Sequence, residues 1–132
     1  MARILIVDDE PDIGEVILRV LERAGFETTV THNAAAALAA IEAQVPDVVV
    51  TDIIMPKTNG VDLIKKLRAD YPRVRIVAIS GGGSFGPLTY KPDAISTHAF
   101  LAAARDAGAD EALTKPFDLS DLLSAIRRQL PN

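Results

Sequence analysis

Val48-Val49-Val50-Thr51-Asp52, followed by Ile53-Ile54-Met55-Pro56, is the stretch that decides how this chain folds. Three successive β-branched residues favour a strand over a helix, and Pro46 and Pro56 bound the run on either side. An unbroken apolar run of this length reads as a strand buried on both faces, as in a parallel sheet. It ends in a carboxylate. Open parallel sheets place their ligands just beyond the carboxyl ends of the strands, so Asp52 stands where chemistry occurs. An Asp that merely caps a turn fits the same position equally well. The flanking segments decide between the two.

Upstream, Ile4-Leu5-Ile6-Val7 is a second short apolar run, stopped by Asp8 and Asp9. From Pro11 the period changes: Ile13, Val16, Ile17, Val20, Leu21 and Ala24 recur at helical steps. Pro11 suits the first turn, and Gly25 suits a left-handed C-terminal cap. Phe26 to Thr31 predicts an outer strand. Asn33 is placed to cap a second, alanine-rich helix reaching about Gln44. Downstream of Asp52, Asn59-Gly60 marks a turn. Leu63, Ile64 and Leu67 give a third helix that ends before Pro72. Val74 to Ile79 predicts a fourth strand, stopped by Ser80. Residues 81–93 hold four of the eight glycines and two of the eight prolines, a long loop without period. Ala94 to Ala107 predicts a fourth helix closed by Gly108. Glu111 to Thr114 predicts a fifth strand, stopped by Lys115-Pro116. Asp118 is placed to cap a last helix through Leu130. Strand and helix alternate five times, which implies right-handed crossovers and a doubly wound α/β domain with a parallel sheet.

Composition narrows the function classes. The 132 residues suit one domain with a core of its own. The net charge of −4, from 14 basic and 18 acidic residues, argues against nucleic acid as the main partner. There is no cysteine, so thiol nucleophiles, disulfides and cysteine metal sites are excluded. Four apolar residues at the N-terminus are too few for a signal peptide, and no stretch is long enough for a transmembrane span. The expectation is a cytoplasmic protein with no membrane partner.

The predicted strand ends carry a common chemistry. Strand one offers Asp8 and Asp9, strand three Asp52, strand four Ser80 and strand five Lys115, while strand two offers nothing comparable. In the order 2-1-3-4-5, strands one and three are neighbours at the switch point. Adjacent strands lie roughly 5 Å apart, so three carboxylates crowd one spot. Like charges that close are costly, and a hard divalent cation held by oxygen ligands relieves them. Mg2+ fits best, because it also binds phosphate oxygens. Lys115 can stabilise charge on a phosphoryl oxygen, and Ser80 adds a hydroxyl donor. Nucleophilic carboxylate, metal, ammonium and hydroxyl together make a site that forms an aspartyl phosphate.

The set Asp8-Asp9, Asp52-x-x-Met55-Pro56, Asn59-Gly60, Ser80-Gly81 and Lys115-Pro116-Phe117 resembles the receiver domain of two-component response regulators over essentially the whole chain. The resemblance implies a flavodoxin-like (βα)5 fold and residues 1–132 as a single receiver domain. It implies Asp52 as phospho-acceptor, Asp9 as a direct Mg2+ ligand, Asp8 acting mainly through water, and the backbone carbonyl of Ile54 completing the metal shell. Ser80 becomes the switch hydroxyl, Lys115 the phosphate partner, and the bond before Pro116 is cis. The donor is a histidine kinase or a histidine phosphotransfer protein, or a small molecule such as acetyl phosphate. The only catalysis expected is phosphorylation and dephosphorylation of the chain's own Asp52. The kinase-facing surface is the first helix and the loop after Pro116. A downstream protein target, or a second copy forming a homodimer, docks on helix four, strand five and helix five. There Ala99, Ala102, Ala103 and Ala104 allow close approach. With no second domain expected after Leu130, the chain reads as a stand-alone regulator.

The sequence departs from the family at two places. Ala112 stands where an aromatic ring often turns inward, and the loop after Ser80 is longer than usual. Phe85 or Tyr90 of that loop is expected to pack in place of the missing ring on phosphorylation. Gly81, Gly83 and Gly86 also spell a dinucleotide fingerprint, but they follow strand four, and Pro87 and Pro92 keep a helix from opening there. His32 and His98 read as isolated surface or turn residues. Two other classes remain: a flavin-binding electron carrier, whose phosphate Asp8-Asp9-Glu10 repels, and a pseudo-receiver that binds partners without taking phosphate.

Overall fold

Strands β1 (Arg3–Val7), β2 (Glu27–Thr31), β3 (Val48–Asp52), β4 (Arg75–Ser80) and β5 (Glu111–Thr114) run parallel in one sheet with spatial order 2-1-3-4-5. The computed structural model describes residues 2–55, 58–80, 102–114 and 117–131, with backbone alone for Ile54, Met55, Thr58, Asn59 and Ser80. The expected loop 81–93, the first turns of the helix expected from Ala94, Pro56, Lys115 and the bond before Pro116 lie outside the described residues.

β3 is the central strand, and all five of its residues are buried. Its valines pack both ways, as a run without polar alternation requires. Val49 joins Leu5, Val7, Ile76 and Ala78 on one face, under helices α2 (Ala34–Ala43) and α3 (Gly60–Asp70) and under Ala104 of helix α4 (described over 102–107). Val48 and Val50 join Ile4, Ile6, Val77 and Ile79 on the other, under helices α1 (Pro11–Arg23) and α5 (Leu119–Gln129). β2 alternates exposed and half-buried residues up to a buried Thr31, the mark of an edge. The doubly wound fold is therefore as expected.

Local signals hold at most boundaries. Pro11 opens α1, Gly25 has φ +97° and Gly108 φ +127°, and the Asn33 side chain accepts the Ala36 amide at 2.7 Å to cap α2. Three expectations need correction. Asn59-Gly60 is not a turn: Thr58–Asn59 pairs antiparallel with Ile54–Met55, and Gly60 is already the first residue of α3. Asp118 stands at the N-cap of α5, yet its side chain makes no capping bond; its carbonyl accepts from Asp121 at 2.9 Å and Leu122 at 3.3 Å. Residues 102–107 are helical, but Ala104 is fully buried in the core and offers no surface to a partner. Ala102 is exposed and Ala103 half-buried.

Candidate functional site

The strand register brings the carboxylates together. Val7 pairs with Thr51 across β1 and β3, so Asp8 and Asp52, one residue on, stand level on adjacent strands. Both follow the parity of the residues that face α1 and α5, Ile4 and Ile6 on one strand, Val48 and Val50 on the other. Both are buried, Asp8 at 2% exposure and Asp52 at 6%. Their strands lie roughly 5 Å apart, and buried carboxylates brought near one another repel unless a positive charge is shared between them.

Asp8 is fixed at several atoms. Its N–H donates to the Thr31 carbonyl at 3.0 Å, and its Oδ1 accepts the Glu10 N–H at 2.9 Å. The second bond folds the three-residue link between β1 and α1 into a tight turn. One carboxylate oxygen from each of Asp8, Asp9 and Glu10 lies within 4.8 Å of the others. A set of hard oxygens, one buried and two half-buried, fits Mg2+ or Ca2+ and not a soft metal. Glu10 was not foreseen as a member of the set. No spacing signal separates it from an ordinary first-turn acid.

On the other side of β3, Asp52 pairs with Ile79 and Ser80 with Thr114. Ser80 therefore ends its strand one register step past Asp52, and Thr114 brings the chain to the same level before Lys115. The side chains of Ser80 and Lys115 lie outside the description. The turn after Asp52 is closed by main-chain bonds: Ile53 N–H to Ile79 O at 2.9 Å and Gly60 N–H to Ile53 O at 3.0 Å. Gly60 sits so tightly that a Cβ would lie 2.6 Å from Ile53 Cα and 2.8 Å from Ile53 O, and closer still to Asp52 O. The start of α3 thus presses on the backbone that carries Asp52.

Strand two is less empty than its sequence implied. His32, directly after β2, places Nδ1 3.0 Å from the Asp8 carbonyl oxygen. The ring is exposed, as expected, but it is not isolated. Ala112 lies half-buried against the core.

Residues 4–127 match the family model described as the response regulator receiver domain. The DNA-binding response regulator MtrA of Mycolicibacterium smegmatis is 34% identical over 128 residues, which is 97% of this chain and 50% of that protein. The DNA-binding transcriptional regulator NtrC of Azospirillum brasilense is 34% identical over 129 residues, 98% of this chain and 24% of that one. The chain thus spans half or less of these two relatives. Among solved structures, the receiver domain of NtrX from Brucella abortus superposes with a TM-score of 0.82 at 30% identity, covering 96% of this chain and 97% of that one. The chemotaxis response regulator CheY4 of Vibrio cholerae gives 0.81 at 27% identity, covering 98% and 99%.

Proposed function

The chain belongs to the response regulator receiver family, and on that premise we propose that Asp52 accepts a phosphoryl group from a phosphohistidine donor on a histidine kinase or histidine phosphotransfer protein. The observation that carries this reading is the level placement of Asp8 and Asp52, both buried, on one face at the carboxyl end of adjacent strands. An Asp52 carboxylate oxygen attacks phosphorus. The P–N bond breaks, its electron pair passes to the imidazole nitrogen, and an acyl phosphate remains. Water later attacks phosphorus, inorganic phosphate leaves and the carboxylate returns. These are the only reactions assigned to the chain.

The residues that hold the divalent cation are Asp8, Asp9, Asp52 and the Ile54 carbonyl, with Mg2+ as the ion. The packed oxygens of Asp8, Asp9 and Glu10 support Asp8 and Asp9 in this set. When bound, Mg2+ supplies charge neutralisation for the phosphoryl oxygens among the crowded carboxylates. Ser80 and Lys115 are assigned the remaining phosphoryl oxygens. Residues 1–132 act as one receiver domain in the cytoplasm, and output is docking of a protein target or a second copy on helix four, β5 and α5. No nucleic-acid contact is placed on this acidic unit, whose net charge is −4.

Incubation with a phosphorylated histidine donor and Mg2+ tests the reading. Wild type takes label that alkali and hydroxylamine release, as an acyl phosphate requires, and Asp52→Asn takes none, since no other carboxylate among the described residues is assigned as the nucleophile. Label on Asp52→Asn at the wild-type level refutes the assignment. No label on wild type from any phosphohistidine or acetyl phosphate donor leaves the pseudo-receiver instead.

A further inference from the structure

The last main-chain rung between β1 and β2 is the Asp8 N–H to Thr31 O bond. Beyond it β2 ends, and the chain turns into α2 with Asn33 as cap. The Asp8 carbonyl is met there by a side chain, His32 Nδ1 at 3.0 Å. A carbonyl oxygen only accepts, so Nδ1 must carry the hydrogen. The next bond along the chain is the one that carries Asp9. Asp8 N–H, Asp8 O and Asp8 Oδ1 are thus tied to Thr31, His32 and Glu10.

We propose that His32 is a positioning residue of the acidic pocket: its Nδ1–H bond to the Asp8 carbonyl fixes the Asp8–Asp9 peptide, and with it the oxygens offered to a divalent cation. The proposal rests on the reading of Asp8 and Asp9 as cation ligands. His32 touches neither cation nor phosphoryl group. It acts as a strap from the edge strand, with α2 anchored behind it by the Asn33 cap. Groups that orient metal ligands in this way commonly change affinity by about 10–100-fold when removed. The ring is exposed, so water replaces the lost donor. Loss of His32 therefore frees the peptide while leaving the fold in place.

The test uses the full chain at pH about 8, above the ordinary histidine range. In the wild type without metal, imidazole 15N shifts report the tautomer: the strap requires Nδ1–H, and a dominant Nε2–H form overturns it with no variant needed. His32→Ala is then compared with His32→Asn, whose Nδ2 stands the same number of bonds from Cα as Nδ1. His32→Ala is expected to shift the Asp9 amide resonance of the metal-free protein and to weaken calorimetric Mg2+ binding about tenfold. His32→Asn restores both. Wild-type values for the amide and the affinity in His32→Ala overturn the proposal, as does a His32→Asn protein as impaired as His32→Ala. A wild type that binds no Mg2+ refutes the functional reading instead, and the metal-free amide and tautomer measurements still decide the strap.

Discussion

Replacing Gly60 by alanine separates two effects of opposite sign. Gly60 is the first residue of α3 and has no positive φ, so its backbone is one that alanine adopts freely. In open space Gly60→Ala gains about 0.4–1 kcal/mol, because the unfolded chain loses freedom. Here the new methyl meets Ile53 Cα at 2.6 Å and Ile53 O at 2.8 Å, with Asp52 O nearer. Ordinary carbon contacts sit at about 3.5–4.0 Å, so a gap of about 1 Å must open. All three atoms are backbone, and none can rotate aside. Overpacking of this kind costs about 1–3 kcal/mol, which outweighs the gain. For a domain of this size Tm falls by roughly 3–10 °C. The strand end that moves carries Asp52, and a 1 Å misplacement at a reacting group costs up to about 100-fold in rate. Circular-dichroism melting and single-turnover phosphotransfer read the two effects. Gly14→Ala is the contrast: its Cβ meets Val30 Cγ1 at 2.8 Å, a side chain and not backbone, though one stiff at χ1. Its Tm is expected to fall by less than that of Gly60→Ala, with labelling unchanged. A Gly60→Ala protein as stable and as fast as wild type would falsify the contact argument.

Two further outcomes concern the end of the sheet away from the site. Arg68 donates to the Gly108, Pro72 and Val74 carbonyls at 2.6–3.1 Å and to Asp110 at 2.9 Å, so Arg68→Lys, with one ammonium for a planar fork, should lose about 1–3 kcal/mol in urea denaturation. An unchanged midpoint refutes the clamp. Arg128 Nε reaches both Glu111 carboxylate oxygens at 3.1 Å, and this bond, aided by Gln129 and opposed by burial, holds the Glu111 carboxyl below its ordinary pKa. A depressed carboxylate stabilises the fold above its unfolded pKa, and the contribution disappears as pH falls through the folded value. The Tm advantage of wild type over Glu111→Gln should therefore be constant near neutrality and shrink below pH about 4.5; an advantage that grows on acidification contradicts the sign.

Much of this protein was legible before its fold was seen. The valine run of β3 carries its own burial pattern, and all five residues are buried as that pattern requires. Pro11, Gly25, Asn33 and Gly108 announce helix ends through backbone chemistry that acts within a few residues. Strand order placed Asp8 and Asp52 on neighbouring strands, and the register of Val7 with Thr51 set them level. The failures were also local. Asn59-Gly60 looks like a turn because nothing nearby in sequence shows the β3 backbone that only glycine can approach. Asp118 looks like a capping side chain, yet its carbonyl takes the first bonds of α5.

Sequence by itself determined the alternation of strands and helices, the burial of β3 and the placement of acids at strand ends, because each depends on residue type at short spacing. Tertiary structure alone decided that His32 ties down Asp8, that Gly60 presses on Asp52 and that Arg68 gathers three carbonyls from two turns. In all three the partner is main chain. Every residue carries the same carbonyl, so which one is met is written only in the packing.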